Sequence, residues 1–468
     1  MLVSYAMKKI PAFFTALAIV FLSGALAMAA APDVSNVVII PGRTERELNF
    51  AWQTRGDVAV KAVVQTALKS DMTSVDFPES KALTFYGKSE DFMDGLVSHK
   101  ATVSRLAPST SYIYRLGTGR AGEWSAIYEF STRNRENYSV LLAGDIQIGA
   151  KNIEEDTAGW QDTLDKASQI TPDAAFILST GDQVDTASSQ NQYDNMLSPP
   201  QFKNLPFVPT IGNHDNHELF SYHFNLPNES LTFGKTSAGG NYYFTYGKTL
   251  FLVINSNSPN YDQHEAFIRT AVKKSSRARW KIVMIHHSLY GADIQHSSLA
   301  DLRKNFGSIF DKHGIDVVLS GHEHIYARAH FMLNDKIVQP LKEFPIGSKP
   351  PSEIPDGAVI KPPGTFYLMA GSSSGNKYSI PARQFYDFLA EMAAPYVPMF
   401  SRINITNTSF EIITYRTDNI TVIDRFVMVK AAEERNQWNK TLVLLALCTV
   451  FAIIAIFFVF RFNQRQAQ

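Results

Sequence analysis

Five short clusters of polar residues in this sequence carry side chains that can bind metal ions. They contain carboxylate, amide and imidazole groups, which are the oxygen and nitrogen ligands that suit zinc, iron and manganese. A single Gly-Asp pair is usually a turn, and a single histidine is usually a satisfied core residue. Five such clusters in one chain favour a shared metal site. They are Gly144–Gln147, Gly181–Asp185, Gly212–Asp215, His286–His287 and Gly321–His324.

Each cluster directly follows a short apolar run that predicts a buried strand. The runs lie at 140–143, 175–178, 207–211, 281–285 and 316–320. Helices are predicted between them, one with Asp262 as its N-cap and one from about Leu299 to His313, where Gly314 ends it. Strands that alternate with helices indicate an α/β architecture, in which ligands gather beyond the carboxyl ends of the strands. The order of the strands can therefore bring all five clusters together.

Clusters of this composition suit the hydrolysis of phosphate esters. Two cations about 3.5–4 Å apart can hold one hydroxide between them and grip the phosphoryl oxygens, which favours in-line displacement. A bridging carboxylate holds such a pair together. Coordination lowers the pKa of the bound water from 15.7 to about 7, so a nucleophile exists at neutral pH.

The ordered motifs GDxx, GDxxD, GNHD, a strand ending in His286, and GHxH resemble those of the calcineurin-like metallophosphoesterases. The last block, from Gly321 to Arg328, is similar to the GHxHxYxR signature of the purple acid phosphatase branch. His296, ten residues after His286, falls where that branch places a histidine. The resemblance covers roughly residues 32–430. It implies the mixed-sheet βαβ sandwich of the metallophosphoesterases for the catalytic region, and a metal-dependent phosphatase of the acid phosphatase type with a binuclear metal centre.

The resemblance also implies a role for each matching residue. Asp182 would bridge the two metal ions. Metal one would be bound by Asp145 and His324, and metal two by Asn213, His286 and His322. His214 and His296 would face the substrate and act in catalysis, where they stabilise the phosphoryl group or protonate the leaving oxygen.

Two positions depart from the pattern of the branch. The branch has Gly two residues after the first Asp and Tyr three residues after the bridging Asp, whereas this chain has Gln147 and Asp185. Because that Tyr accompanies ferric iron, metal one is open between iron, zinc and manganese. The amide oxygen of Gln147 is a candidate ligand of metal one, and the alternative is a role without metal contact.

Other polar residues near the motifs carry structural expectations. Asp215 either orients His214 or is a solvated turn carboxylate. His287 is expected to pack or hydrogen-bond behind the ligands, and Arg328 is expected to be structural rather than a phosphate clamp. Three further histidines are expected to be ordinary surface or helix residues: His217, His223 and His264.

Residues 32–133 predict an all-β domain. Alternating segments at 48–52, 59–64 and 112–116 are separated by turn residues such as Pro108 and Gly117. A β-sandwich of roughly a hundred residues is expected. The pattern from Leu106 to Arg133 resembles the fibronectin-III-like N-terminal domain of the purple acid phosphatases. Because the segment has no concentration of His, Asp or Glu, a structural or recognition module is favoured.

Apolar segments at the two ends predict export and membrane attachment. Lys8 and Lys9 precede an apolar run and an A-x-A pattern, so residues 1–29 are predicted to be a signal peptide, with an uncleaved anchor as the alternative. The uncharged residues from Thr441 to Phe460 are long enough, at about 1.5 Å each, to span a bilayer as one transmembrane helix. Residues 461–468 would then form a short cytoplasmic tail. The catalytic region 138–430 would lie outside the cytoplasm, on a single-pass protein of the cell membrane.

The composition excludes some partners and bonds. The formal net charge of +0 argues against a nucleic-acid partner. The single cysteine, Cys448, lies in the apolar C-terminal segment, so no disulfide can form in the exported body. Between Pro340 and Pro363 the chain is rich in proline, which predicts a long surface loop.

The function expected from the sequence is hydrolysis of small phosphate monoesters by attack of a metal-bridged hydroxide. One alternative is a phosphodiesterase or nucleotide hydrolase that uses the same site. An alternative of another class is a surface binding or adhesion protein whose metal site is inert.

Overall fold

The computed structural model describes residues 33–56, 61–93, 95–118, 123–292, 299–375, 377–382, 386–432, 449–450 and 452–454. The predicted signal peptide, the cytoplasmic tail, most of the segment 441–460 and the residue His296 lie outside these residues. Within the described parts of the chain, no helix is both long enough and apolar enough to cross a membrane.

The N-terminal part folds as the predicted β-sandwich, built from two four-stranded antiparallel sheets with the orders β1-β2-β6-β5 and β4-β3-β7-β8. Two 3-10 turns, Lys69–Asp71 and Glu79–Lys81, follow β3 and precede β4. The strands are β1 (Val34–Pro41), β2 (Leu48–Arg55), β3 (Val63–Leu68), β4 (Leu83–Tyr86), β5 (Lys88–Met93), β6 (Leu96–Val103), β7 (Ser111–Gly117) and β8 (Tyr128–Ser131). The third strand thus begins at Val63, four residues later than the sequence pattern predicts.

Strand β2 is buried on both faces, because the sandwich packs against the rest of the protein. Phe50 and Trp52 point into the core between the two sandwich sheets. Ala51, on the opposite face, packs with residues of the following α/β region, together with Val38 and Ile40 of β1. The sandwich is therefore attached through a hydrophobic contact as well as through the chain.

The α/β region contains two seven-stranded mixed sheets, which we call the first and second central sheets. Their strand orders are β11-β10-β9-β22-β23-β24-β19 and β12-β13-β14-β15-β20-β16-β21. The neighbours β9, β10 and β11 are parallel in the first sheet, and β13, β14, β15 and β20 are parallel in the second. The strands are β9 (Tyr138–Ala143), β10 (Ile177–Ser179), β11 (Phe207–Val208), β12 (Tyr242–Tyr246), β13 (Thr249–Ile254), β14 (Trp280–Ile285), β15 (Val317–Ser320), β16 (Tyr326–Ala329), β17 (Phe331–Leu333), β18 (Lys336–Val338), β19 (Val359–Ile360), β20 (Phe366–Met369), β21 (Leu389–Ala393), β22 (Met399–Ile405), β23 (Ser409–Arg416) and β24 (Val422–Val429).

The two central sheets pack face to face, and helices cover their outer faces. Val140 and Leu142 of the first sheet meet Ile282 and Met284 of the second in one buried cluster. The helices are α1 (Ile153–Ile170), α2 (Gln190–Met196), α3 (Glu218–His223), α4 (Tyr261–Lys274), α5 (Leu299–Leu302) and α6 (Ser308–His313), with a π-helical turn at Arg303–Gly307 and 3-10 turns at Pro200–Lys203 and Asn213–Asp215. Helix α1 packs on the first central sheet, and α4 and α6 pack on the second. This arrangement is the predicted α/β sandwich.

Local sequence signals set most helix ends. The side chain of Asn152 caps α1, and the side chain of Asn260 caps α4 by accepting a hydrogen bond from the backbone of Gln263. The expectation that Asp262 caps α4 was wrong by two residues. Helix α6 ends as predicted at Gly314, which has the left-handed φ of 59° that a C-terminal cap requires.

The sandwich also holds the segment that follows the third polar cluster. The ammonium group of Lys100 donates to the carbonyl of Ser221, and Ser98 Oγ donates to the carbonyl of Tyr222 at 2.6 Å. The side chain of Asn225 donates to the carbonyl of Ala101 at 3.0 Å. These bonds fix α3 to strand β6, only a few residues after the turn Asn213–Asp215.

Candidate metal centre

The predicted clusters meet where the two central sheets end. Asp145, Asp182 and Asn213 follow the parallel strands β9, β10 and β11 of the first sheet. His286 follows β14, and the pair His322 and His324 follows β15, both in the second sheet. The convergence expected from the sequence is therefore present, and it is built from the ends of both central sheets.

Site residues have unusual backbone conformations. Five site residues other than glycine have a positive φ. This left-handed conformation costs a non-glycine residue roughly 1–2 kcal/mol. Such strain collects where the surrounding structure holds the backbone in place to aim a side chain. The residues and angles are Asp145 (38°), Gln147 (42°), Asp182 (50°), His322 (78°) and His324 (46°).

The glycines in the motifs make room for the carboxylates. A Cβ atom on Gly212 would lie 2.0 Å from Oδ1 of Asp182, and one on Gly321 would lie 2.5 Å from Oδ2 of Asp145. Each glycine precedes one ligand and lets its backbone approach another. The Gly-Asn and Gly-His pairs are thus explained by close approach between clusters.

His286 lies at the centre of one half of the site. Its Nε2 atom is 2.9 Å from Oδ1 of Asn213, 3.2 Å from Nδ1 of His322 and 3.3 Å from Oδ2 of Asp182. Ligands bound at about 2.0–2.2 Å to one cation stand roughly 2.8–3.6 Å apart along the edges of an octahedron or a tetrahedron. The spacing of these four groups fits a shared cation.

Asp145 and His324 lie together in the other half. The Oδ1 atom of Asp145 is 3.7 Å from Nε2 of His324, and both side chains are buried. The backbone N–H of His322 donates to both carboxylate oxygens of Asp145, at 2.9 and 3.0 Å. The main chain of the last motif therefore orients the carboxylate of the first.

Burial and mutual repulsion shift the charges of the site. Burial, together with the nearby charge of Asp182, raises the pKa of Asp145 to about 8. Burial alone would also raise the pKa of Asp182, but the charge and hydrogen bond of His286 lower it below its usual range. For His286, burial opposes the charged form, yet Asp182 raises its pKa to about 9. Asp182 is thus paired with His286, whereas Asp145 lies 3.7 Å from Nε2 of His324 and is held buried at a raised pKa. A bound cation would stabilise the charged form of such a buried carboxylate.

Backbone carbonyls hold the ligand imidazoles in one orientation. Nδ1 of His286 donates to the carbonyl of Thr180 at 3.0 Å, and Nδ1 of His324 donates to the carbonyl of Lys377 at 3.0 Å. A proton on Nδ1 leaves Nε2 as the nitrogen that could bind a metal ion. The sequence offers no signal for these partners, because a main-chain carbonyl belongs to any residue type.

Gln147 and Asp185, which depart from the family pattern, contact each other. The amide nitrogen of Gln147 donates to Oδ1 of Asp185 at 3.1 Å. The backbone carbonyl of Asp185 accepts from Nδ1 of His214 at 2.6 Å, and the backbone N–H of His214 donates to Asp182 at 2.9 Å. His214 is thus fixed at the rim of the site, with its side chain one third exposed.

The structure corrects the expectation for Asp215. This residue is fully buried, and its carboxylate accepts hydrogen bonds from the backbone of Gly212, at 2.9 Å, and of Gln183, at 2.9 Å. The side chain of Gln183 adds a third bond at 3.1 Å. Asp215 therefore holds two motif turns together, and Asp185 rather than Asp215 orients His214.

The other polar residues that the sequence analysis considered have structural contacts. His287 packs 4.6 Å from the ring of His322 and bonds to Ser256 Oγ at 2.8 Å, as expected for a residue behind the ligands. Arg328 pairs with Asp424 at 2.6 Å, which supports its structural role. His223 and His264 lie on helices α3 and α4, one of the two expected positions, and both are buried and hydrogen-bonded. The side chain of His217 accepts a hydrogen bond from the backbone N–H of Leu219 at the start of α3.

The fold and the site define the class of protein. Residues 138–326 match the family model of the calcineurin-like phosphoesterases. Residues 34–132 match the model of the purple acid phosphatase N-terminal domain. The chain therefore contains a calcineurin-like phosphoesterase domain preceded by a purple acid phosphatase N-terminal domain. It is a metal-dependent phosphatase with a binuclear metal centre.

Proteins that are similar to this chain are named as acid phosphatases or purple acid phosphatases. "Acid phosphatase type 7" of Mus musculus is 23% identical over 352 residues, which cover 67% of this chain and 77% of that protein. "Purple acid phosphatase 18" of Arabidopsis thaliana is 22% identical over 308 residues, covering 60% of this chain and 66% of the plant protein. The solved structure of purple acid phosphatase PPD1 from yellow lupin (Lupinus luteus) seeds has a TM-score of 0.67 at 15% identity, and the match covers 85% of this chain and 75% of that one. This last likeness establishes the shared fold.

Proposed function

We propose that the protein is an exported, membrane-anchored phosphatase that hydrolyses small phosphate monoesters. The observation that carries the proposal is the group of ligand atoms around Nε2 of His286, drawn from Asp182, Asn213 and His322. No element of structural packing needs three imidazole or amide groups and a carboxylate at this spacing inside the protein.

Two cations bound here would supply a nucleophile by acidifying a water molecule and would neutralise the phosphoryl oxygens. Asp182 would serve both cations, because its Oδ2 atom lies 3.3 Å from Nε2 of His286 and its charge also acts on Asp145. Asp145 and His324 complete the first position, while Asn213, His286 and His322 complete the second. Gln147 follows Asp145 by two residues, and its carbonyl oxygen is the candidate extra ligand of the first position.

His214 is the described residue that is best placed to act on the substrate. Its Nδ1 atom donates to the carbonyl of Asp185, which directs Nε2 away from that bond. In its imidazolium form, in which both ring nitrogens carry a proton, His214 would donate from Nε2 to a phosphoryl or leaving oxygen. The side chain is part exposed, so a substrate can reach it. His296 is proposed as its partner from the motif alone.

Export and anchoring are supported by the sequence of the two ends. The basic and apolar residues before Ala30 favour a signal peptide, and the uncharged run from Thr441 to Phe460 favours a single membrane span. The phosphatase region between them would then lie outside the cytoplasm.

The test uses the full chain, purified in detergent without chelator. Elemental analysis should find two metal ions per chain. Hydrolysis of phosphate monoesters should exceed that of diesters, and the substitution Asp182→Ala should abolish it. Asp162→Ala, which alters only an exposed ion pair on α1, is the matched control and should keep full activity. A metal-loaded protein that prefers diesters would refute the monoester assignment, and one that turns over neither would refute the enzyme.

A further inference from the structure

The second central sheet has two functionally different ends. Strands β14 and β15 are parallel, and both end at the metal ligands. At their opposite end lie Trp280, the first residue of β14, and Asp316, which precedes β15. Six residues of β14, at about 3.3 Å each, separate this end from His286 by roughly 20 Å. We call the surface around Trp280 and Asp316 the base.

The chain leaves the phosphatase region at the base. The ammonium group of Lys430 lies 2.7 Å from Oδ2 of Asp316 and 4.2 Å above the ring of Trp280. The guanidinium group of Arg279 donates to the carbonyl of Ala431. Residues 430–432 are therefore fixed to the base by an ion pair, a cation–π contact and backbone bonds.

A proline-rich loop at the base presents apolar side chains to the outside. The backbone N–H of Ala432 donates to the carbonyl of Lys349 at 2.7 Å, which joins the loop 340–358 to the departing chain. In this loop Ile346 is fully exposed, and Ile354 is 52% exposed. Prolines limit how far the loop can fold back to cover them. Ile346 and Ile354 are three and five residues from Lys349, so both exposed side chains belong to the segment that is bonded to the departing chain.

The base is also cationic. A cavity of about 600 Å³ is lined by Arg43, Lys274 and Arg277, and by the hydroxyl of Ser276. Lys248 is exposed, and its carbonyl accepts from the N–H of Arg279 at 2.7 Å, which places it at the same end of the sheet. Arg43 pairs with Glu47, which also lines the cavity. Such a surface attracts anionic headgroups.

From these contacts we infer that the base is a membrane-facing surface, which places the loop 340–358 at the lipid interface and directs the metal centre away from the bilayer. The partner is an anionic phospholipid bilayer, whose headgroup phosphates suit the cationic cavity and whose interface suits Ile346 and Ile354. The inference rests on the proposed anchoring of the chain through residues 441–460. From Ala432 to Thr441 an extended chain reaches roughly 30 Å at most, so the base cannot lie far from that membrane.

The single cysteine of the chain makes the test specific. In a Cys448→Ser background, Ile346→Cys is labelled with an environment-sensitive fluorophore, and the full chain is placed in vesicles that contain phosphatidylglycerol and nitroxide-labelled lipid. The control is Leu231→Cys, an equally apolar residue that is 73% exposed. Leu231 lies in the same loop as Ser237. The hydroxyl of Ser237 donates to the carbonyl of Asn216, which follows the turn Asn213–Asp215 at the metal-site end of the α/β region.

We expect the lipid nitroxide to quench the label at position 346 several-fold more than the label at position 231. The charge reversals Lys274→Glu and Arg277→Glu should reduce the quenching at 346 in anionic vesicles and leave it unchanged in vesicles of phosphatidylcholine. Vesicle-bound protein with equal or no quenching at the two positions would overturn the membrane-facing base while leaving the anchor intact. Protein that does not float with vesicles would overturn the anchor and the base together. Both outcomes are separate from phosphatase activity, which is measured on the same samples.

Discussion

Nε2 of His286 lies 3.3 Å from Oδ2 of Asp182, although the two residues follow strands of different central sheets. This contact joins the two halves of the α/β sandwich at the metal centre. Because the ligands come from both sheets, metal binding links the packing of the sheets to the chemistry of the site. The consequences can be tested by removing ligands one at a time.

Removal of the bridging carboxylate should release more metal ions than removal of a terminal imidazole. Asp182→Ala is expected to lose both ions, because two cations would face each other without the charge that neutralises them. His322→Ala is expected to lose one ion, since Asp145 and His324 remain in the other half. Elemental analysis of the purified variants measures the difference, and two ions per chain in Asp182→Ala would exclude the bridging role.

The substrate-facing histidines should affect catalysis without affecting metal content. His214→Ala and His296→Ala are expected to keep their metal ions and to lose about 10²–10⁴-fold in activity on monoesters with poor leaving groups. An activated aryl phosphate needs less protonation, so its loss should be smaller. His313→Ala, on α6 far from the site, is the control. Equal losses on both substrates would indicate phosphate binding instead of proton donation.

Glu323, between the two ligand histidines of the last motif, is expected to position the segment that leads to His296. Its buried carboxylate accepts from Ser288 Oγ at 2.7 Å and from the backbone N–H of Ala292 at 2.6 Å. Glu323→Ala should therefore lower kcat on poor leaving groups while metal content is kept. In a double-mutant cycle with His296→Ala the two losses should be less than additive, because they act on one step. Additive losses would assign Glu323 to stability alone.

Acid should weaken the contact between the sandwich and the α/β region. Burial lowers the pKa of His223 to about 3, and this side chain bonds to Gln53 of the sandwich at 3.1 Å. The folded pKa lies below the unfolded value of about 6.5, so the stability that neutral His223 provides is complete above that pH. This contribution to the free energy of unfolding decreases as the pH falls from about 6.5 toward 3, by up to about 1.4 kcal/mol per pH unit.

The measurement is the midpoint of urea unfolding between about pH 7 and 5, where histidines change charge. His223→Gln should flatten the decline toward acid pH, because glutamine can keep a hydrogen bond without titrating. His99, whose pKa burial lowers to about 4, should account for much of the slope that remains. An unchanged slope in the variant would rule out His223 as the source.

Local signals in the sequence predicted the strands that precede the candidate ligands. The features that the sequence did not predict depend on contacts between residues far apart in the chain. The apolar runs before Asp145, Asp182 and His286 are strands because each is buried on both faces. By contrast, β22 pairs with β9 across more than half of the α/β region, and no local pattern gives that pairing. The burial of His223 depends on Gln53, which is 170 residues away. Sequence spacing cannot specify such neighbours.

The metal centre is predicted to lack the purple colour that gives the branch its name. That colour arises from a tyrosinate bound to ferric iron, and the corresponding position holds Asp185, whose carboxylate is bonded to Gln147 at 3.1 Å. Tyr326 cannot replace the missing phenolate, because its hydroxyl donates to Asp424 at 2.7 Å. The protein should therefore show no intense visible charge-transfer band, even when it is loaded with iron.

Without a phenolate to favour the trivalent state, metal one is expected to be divalent zinc, manganese or iron. A divalent pair acidifies bound water less than a pair that contains ferric iron, so the pH optimum should lie nearer to neutral than to acid. A visible spectrum and metal analysis of protein purified without chelator decide between the cases. A strong purple absorbance would contradict the reading of Asp185 as the replacement for tyrosine. Stoichiometric ferric iron without colour would be consistent with Asp185 as the replacement for tyrosine, because Gln147 and Asp185 would then hold the trivalent ion. In that case only the assignment of a divalent metal one would be wrong.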